Sequence, residues 1–377
     1  MSLAAILGGL CLLLAVAGIG YQVHVLVAMK AFARAPRAAA APIEPVTLLK
    51  PLHGPEPRLA DNLATFLDQD WPAPVQIVFG TNRRDDPALP IARALPAAVT
   101  TDAPKLGANA KVSNLANMMP AAAHDLLILS DSDMAVPRDY VARIAAALAQ
   151  PGVGAVSCLY HGRGDAGLWS RLLAAAIDWS FTPAVMMSLA LKVDQPCMGS
   201  TIALRRATLE TIGGFPALAD HLADDHAIGT AVQALGLRVE MVPGLLLTHA
   251  CTESSFAALW RHELRWAGTV RVVTGVRYLG LLFTNPLPLA LLGLPAYPLV
   301  GLAIALAAIA IRLAVARRTA RIVGSVPLPL VWLPARDLLS FVVYVASFLV
   351  RRVDWRGTML KMTSKGRIAS PEEFPVP

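Results

Sequence analysis

Apolar positions fall into three regimes along the chain. From Leu3 to Met29 they run with almost no charge, long enough as a helix to cross about 30 Å of hydrocarbon. Between roughly Val46 and Gly275 they come in short runs separated by polar loops, and nearly all the acids lie here. From about Leu279 the chain turns apolar again. In the middle region Val46–Lys50, Val75–Gly80, Leu126–Leu129 and Ala155–Leu159 read as strands. Leu59–Leu67 has helical spacing, with apolar residues at 59, 63, 66 and 67. Strands alternating with helices predict an α/β domain with a mostly parallel, Rossmann-like sheet. One internal stretch, Trp169 to Leu191, is unusually apolar and reads equally as core or as an interfacial element.

The strand ends carry the acids. Leu126–Leu129 runs straight into Ser130-Asp131-Ser132-Asp133, and Val75–Gly80 is followed by Asp85 and Asp86. Ligands in open α/β sheets bind at the carboxyl ends of strands. Two carboxylates held there suit a hard divalent cation and, through it, a diphosphate. An ordinary polar turn explains the same residues without a ligand. Asp224-Asp225-His226 opens a helical pattern, where acids also serve as first-turn residues favoured by the helix dipole. Leu259 to Trp266 is a helix-like segment rich in arginine, which a membrane-surface helix would share. No Gly-x-Gly-x-x-Gly follows the first strand and no P-loop occurs, so neither nucleotide motif is supported.

Composition moves the picture toward a membrane. With 377 residues, 55% of them hydrophobic, and a mean hydropathy of +0.54, the chain is too apolar for an ordinary soluble protein. The net charge of +7 sits largely beside apolar runs, and aromatics are only 6%. The charge therefore reads as membrane topology, and no nucleic-acid partner is expected. Cys11, Cys158, Cys197 and Cys251 are far apart, which supports neither a disulfide framework nor a zinc site. Lys30, Arg34 and Arg37 follow the first apolar run and no basic residue precedes it, which places the middle domain in the cytoplasm.

The expected organisation is a transmembrane helix over 1–30, a linker over 31–45, the α/β domain over 46–275, membrane segments over 276–352 and a cytoplasmic tail over 353–377. Pro286, Pro288, Pro295 and Pro298 break a hairpin over 279–316 that would return Arg312, Arg317, Arg318 and Arg321 to the cytoplasm. Residues 326–350 contain Arg336 and Asp337, each costing about 2.5–3.5 kcal/mol at mid-bilayer. An interfacial segment and a span are equally open there, and Arg351, Arg352 and Arg356 follow.

Taken in order, Asp85-Asp86, Asp131-x-Asp133, Asp225 and Arg265-Trp266, with membrane segments on both sides, resemble the D, D, D, (Q/R)xxRW pattern of membrane glycosyltransferases with the GT-A fold. The stretches Leu49 to Gly54, Lys111 to Leu115, Cys197 to Thr201 and Ala223 to Asp225 are similar to the ceramide glucosyltransferase family. Cys158 to Gly162 and His221 to Asp225 bring the chain closer to bacterial hopanoid-biosynthesis glycosyltransferases. The resemblance covers most of residues 1–360. It implies that Asp86, with Asp85 beside it, orients the uridine or ribose, and that Asp131 and Asp133 hold Mg2+ or Mn2+ on the diphosphate of a UDP-sugar. Lys111 would touch the donor phosphates, Asp225 beside Asp224 would be the base, and Arg265 would grip the departing phosphate. Trp266 would stack on the acceptor or anchor its helix, and His262 stands where Gln or Arg is usual. The implied reaction is inverting transfer of N-acetylglucosamine from its UDP donor to a hopanoid polyol, a membrane lipid acceptor, at the bacterial inner membrane. UDP-glucose onto ceramide is the alternative. A processive polysaccharide synthase and a non-catalytic scaffold are further rivals.

Overall fold

A computed structural model of the chain describes residues 2–369 apart from 37, 39, 41, 193–196, 351, 356, 357 and 363–366. Arg37, Arg351, Arg356 and much of the expected tail therefore lie outside the described residues. The strands are β1 (Val46–Pro51), β2 (Val75–Gly80), β3 (Ala98–Thr100), β4 (Leu126–Leu129), β5 (Met134–Ala135), β6 (Val153–Gly164), β7 (Ile202–Arg205) and β8 (Arg238–Cys251), with β9 (Arg352–Trp355), β10 (Thr358–Met362) and β11 (Ile368–Ala369) in a small separate sheet. The helices are α1 (Leu3–Arg34), α2 (Leu59–Leu67), α3 (Leu89–Arg93), α4 (Ala110–Met118), α5 (Tyr140–Leu148), α6 (Leu168–Ala176), α7 (Thr182–Leu191), α8 (Arg206–Thr211), α9 (Asp224–Ala234), α10 (Phe256–Thr274), α11 (Pro286–Gly293), α12 (Pro298–Val323) and α13 (Leu333–Ser347).

The main sheet has the order β3-β2-β1-β4-β7-β6-β8-β5. Its β3-β2-β1-β4 half is parallel, β7 runs antiparallel to both neighbours, and β6 pairs with β8 in parallel. Successive side chains of a strand face opposite ways. Leu48, Leu126 and Ile128 accordingly enter one core with α2 and α5, whereas Leu49, Leu127 and Leu129 enter a second with α4 and α9. Helices on both faces explain why β1 and β4 are buried at every position rather than at alternate ones. Between Ser157 and Leu159 the β6–β8 register jumps from Met241 to Leu246, and the excess chain turns at Gly244 with φ 63°. A residue with a β-carbon is strained in that region.

Four helical stretches are long and apolar enough to cross a membrane: Leu3–Arg34, Leu168–Leu191, Pro298–Val323 and Leu330–Ser347. The second is bound to the domain along its length. Asp178 Oδ1 accepts from the Gly162 N–H at 2.7 Å, and the Thr182 hydroxyl donates to the Tyr160 carbonyl at 2.7 Å. A π-helical turn, Ile177–Phe181, separates its two halves.

α11 and α12 form a hairpin against α1, with backbones so close that a β-carbon at Gly8 would strike Ala296 and one at Gly18 the Phe283 carbonyl. At eight residues, about 12 Å, α11 is too short to cross a bilayer. Arg312 does not join the other arginines at a surface. It is buried, forming a two-pronged bond to Asp337 (2.9 and 2.8 Å) and donating to the Trp179 carbonyl at 2.6 Å. Arg336 is buried too, 2.7 Å from Glu263 of α10. The charges that look costly in sequence are paired across helices, which single-sequence hydropathy cannot see. Removing one member of a buried pair leaves an uncompensated charge, worth about 3–5 kcal/mol. Arg336→Met should therefore lower the unfolding temperature sharply in detergent, while Arg336→Met with Glu263→Leu should recover most of the loss. A single mutant as stable as the parent would contradict this pairing.

Candidate active site

The carboxyl ends of the strands open on a cavity of about 850 Å3. β4 delivers Asp131, Ser132 and Asp133 into it. The turn is set from below by Lys50 of β1, which is wholly buried over the Phe66 ring and donates to the Ser130 hydroxyl (3.3 Å) and the Asp131 carbonyl. Burial pushes the Lys50 amine down to about 7, with Asp133 and Asp131 opposing. The Ser132 hydroxyl donates to Glu56 at 2.7 Å, and the Asp133 carbonyl accepts from the Ala250 N–H at 2.8 Å. The acids thus stand on a fixed backbone.

Asn109 caps α4, its side chain accepting from the Val112 N–H at 3.1 Å, which places Lys111 in the first turn. The Lys111 ammonium bridges Asp131 (2.7 Å) and Asp224 (3.4 Å). Although burial works against it, the Asp131 and Asp224 carboxylates hold this amine firmly protonated. Asp224 and Asp225 occupy the first turn of α9. Asp225 Oδ2 accepts from the Gly199 N–H at 2.9 Å and Oδ1 from the His226 N–H at 2.8 Å. Burial first, and Asp224 second, raise the Asp225 carboxyl to about 6. Gly199 lies at the centre: a β-carbon there would be 3.1 Å from Lys111 Nζ, 3.2 Å from Asp131 Oδ2 and 3.5 Å from Asp225 Oδ2. Three charged groups from three elements therefore converge on one glycine.

α10, capped by Ser255, supplies Arg261, His262, Arg265 and Trp266 to the same cavity. Trp266 packs edge-on against His262 (ring centroids 4.6 Å apart) and lies near His249 and Phe181. His262 Nδ1 is 2.7 Å from Glu253. Tyr160 stacks on both Phe181 and His249. The lining continues along α10 through Thr269, Val270, Val273 and Thr274, and α10 packs against α13.

Of the residues singled out in sequence, Lys111, Asp131, Asp133, Asp224, Asp225, Arg265 and Trp266 line this one cavity. Asp86 does not. Its Oδ1 accepts from the Gly54 and Ala88 N–H groups, both at 2.9 Å, so it staples the loop after β1 to the loop after β2. Pro51, Leu52 and Asn82 of those loops face the cavity. Asp85 is turned to solvent, paired with the exposed Arg83, and does not line the cavity. Sequence reasoning missed His249, Glu253, Tyr160 and Phe181, none of which belongs to a spaced acidic or basic motif.

Among the described residues no group of three or more His, Cys, Asp and Glu side chains forms a ready metal cage. The donors nevertheless suit a hard cation. Two carboxylate oxygens project from one short turn, and Mg2+-type ions are usually held by one or two carboxylates completed by water and substrate phosphate. His249 Nε2, 3.3 Å from Asp133 Oδ2, is a further donor within reach.

An α/β domain whose curled, mostly parallel sheet opens on paired acids, with apolar helices at both ends, defines a GT-A glycosyltransferase. The chain belongs to glycosyl transferase family 21, matching its profile over residues 10–368. It is similar in fold to a mannosyltransferase from Pyrobaculum calidifontis solved with GDP-Man and Mn2+: 20% identity, 91% of this chain and 99% of that chain covered, TM-score 0.51. Glucosyl-3-phosphoglycerate synthase from Mycobacterium tuberculosis, solved with Mn2+, UDP and phosphoglyceric acid, aligns more loosely: 17% identity, 66% of this chain and 83% of that chain, TM-score 0.41.

Proposed function

We propose that this glycosyltransferase moves a sugar from a UDP-sugar to the hydroxyl of a membrane lipid with inversion at the anomeric carbon. The favoured pair is UDP-N-acetylglucosamine and a hopanoid polyol; UDP-glucose and ceramide is the alternative. The carrying observation is one cavity lined both by Asp131, Asp133, Lys111 and Asp225 and by Val270 and Val273 of α10, the helix that packs against the apolar helix α13. The setting is a bacterial inner membrane with the α/β domain on the cytoplasmic side, where Lys30 and Arg34 close α1.

Asp131 and Asp133 would hold Mg2+ or Mn2+, which supplies Lewis-acid neutralisation of the leaving diphosphate. Lys111, released from Asp131, is placed to meet the donor phosphates. Arg265 offers a planar fork to the departing phosphate. Asp86 acts on the nucleoside end through the loops it joins. Asp225 accepts the proton of the acceptor hydroxyl as that oxygen attacks the anomeric carbon and the bond to UDP breaks. Trp266 anchors α10 and presents one ring face to the acceptor channel.

A base must be ionised to work, and the carboxyl raised to about 6 sets where it loses its proton. Turnover should hold on a plateau above that pH and fall about tenfold per unit below it, whereas an ordinary aspartate would hold to about pH 4. Initial rates across this range check the shift; an inflection near 4 would contradict it. The substrate assignment is tested by offering UDP-sugars in turn with hopanoid polyols or ceramide and reading products by mass spectrometry. The expected product is one monosaccharide on one lipid. A growing polymer would favour a synthase, and no glycolipid with any pair would refute the reading.

A further inference from the structure

Leu330–Ser347 is long and apolar enough to cross a membrane, yet its two flanks return to the same part of the molecule. Just before it, the Pro327 carbonyl accepts from Arg171 Nε of α6 at 2.8 Å. Just after it, the Val350 carbonyl accepts from Arg271 Nη2 of α10 at 2.7 Å. Further on, the Ile368 N–H donates to the Asp220 carbonyl at 2.8 Å, in the loop before α9. Arg171, Arg271 and Asp220 all belong to the α/β domain, so both flanks of α13 lie on its side. Between them α13 runs beside α10, with Arg336 2.7 Å from Glu263 and the Ser347 hydroxyl 2.9 Å from that of Tyr278. α10 turns Arg261 and Arg265 into the polar cavity and is no spanning helix. Asp337, bonded to Arg312, sets α13 against α12, which is long enough to span.

The pattern of α13 inverts that of a soluble surface helix. Its two charged residues, Arg336 and Asp337, are buried, whereas Leu338, Val342, Val345 and, just past its end, Leu349 are exposed. These recur at i, i+4, i+7 and i+11, one stripe along one face. Stacked Tyr344 and Tyr278 rings, with centroids 5.2 Å apart, join α13 to the 3-10 segment Gly275–Thr284, where Val276 and Leu279 are exposed too. An exposed apolar surface of this kind calls for a cover. We propose that α13 does not cross the bilayer but lies flat in the interface of the leaflet on the domain's side, its apolar stripe among the acyl chains, and so seats the cavity-lining helix α10 on the membrane surface. In-plane helices bury their apolar face about 5–10 Å into the boundary between headgroups and chains. Glu263 and Arg271 are the points at which α13 holds α10 there. The inference goes beyond the transfer reaction and is the same for any sugar and any acceptor.

The test uses the full chain carrying Cys11→Ser, the other cysteines (Cys158, Cys197 and Cys251) being buried. Ser325→Cys and Arg367→Cys mark exposed positions on either side of α13. A membrane-impermeant maleimide should label both in inverted membrane vesicles and neither in intact spheroplasts. Labelling of the two from opposite faces would make the helix a span and overturn the proposal. Labelling of both from outside alone would refute the cytoplasmic setting of the domain and leave this proposal standing. Depth is read by attaching bimane to Val342→Cys, and separately to Val345→Cys, in nanodiscs. Lipids with a nitroxide near the carbonyl end of the chain should quench the probe about twofold more than lipids with one near the methyl end. A spanning helix carries these positions toward the bilayer centre and reverses that order. A second copy of the chain packed on the stripe, or water, would leave the probe unquenched by both lipids. Either result would overturn the proposal.

Discussion

Asp225→Asn is expected to cut sugar transfer by about 10²–10⁴-fold, the range a positioned base contributes, with UDP affinity nearly intact. The amide is isosteric and can keep its oxygen on the Gly199 N–H, while its NH2 replaces the oxygen that accepts from the His226 N–H, so UDP affinity serves as the control for a shift of the α9 turn. What the amide loses is proton affinity. Asp224 is not expected to take over, because its carboxylate is charge-paired with the Lys111 ammonium 3.4 Å away. Single-turnover rates and a UDP titration on the same preparation separate the two effects. Full activity in Asp225→Asn would remove it as the base, and joint loss of rate and UDP affinity would recast it as a binding residue.

Asp131→Ala should abolish the metal dependence of UDP binding. One charge pair at 4 Å is worth about 4 kcal/mol at an effective dielectric near 20, or about 10³-fold in affinity. Asp133→Ala should behave alike, and the double mutant should lose little more, since the two acids serve one ion. The loss must appear as a vanished Mn2+ effect rather than as unfolding. Lys111 keeps Asp224 as a partner, and Lys50 still holds the turn through the Asp131 backbone carbonyl. UDP affinity that rises equally with Mn2+ in wild type and mutant would place the ion elsewhere.

The sheet was legible because its central strands are buried on both faces. β2 and β4 keep their expected bounds, β1 extends by one residue, and Ala155–Leu159 lies within the longer β6. The acids after β4 and at the start of α9 were legible as motifs, and the fold brings them to one cavity. Asp85 and Asp86 were not separable by type. Only the folded loops show that the Gly54 and Ala88 N–H groups choose Asp86 and leave Asp85 to Arg83. His249 and Glu253 sit at the end of β8, where an apolar strand gives no warning of chemistry. Their meaning comes from Asp133 and His262, which are distant in sequence and near in space. The Arg312–Asp337 and Arg336–Glu263 pairs were illegible for the same reason. The apolar stretch 168–191 remained open in sequence; its buried Asp178 and Thr182 bonds tie it to β6 as part of the domain.

The central claim is that Asp131 and Asp133 mark the diphosphate end of the cavity and Asp225 the acceptor end. The most direct measurement is an anomalous difference map from crystals grown with UDP and Mn2+. The account predicts a Mn2+ peak bonded to the Asp131-Asp133 turn and to UDP phosphate oxygens, with Asp225 facing the space beyond the phosphates. Mn2+ elsewhere, or UDP bound with its phosphates away from this turn, would contradict it.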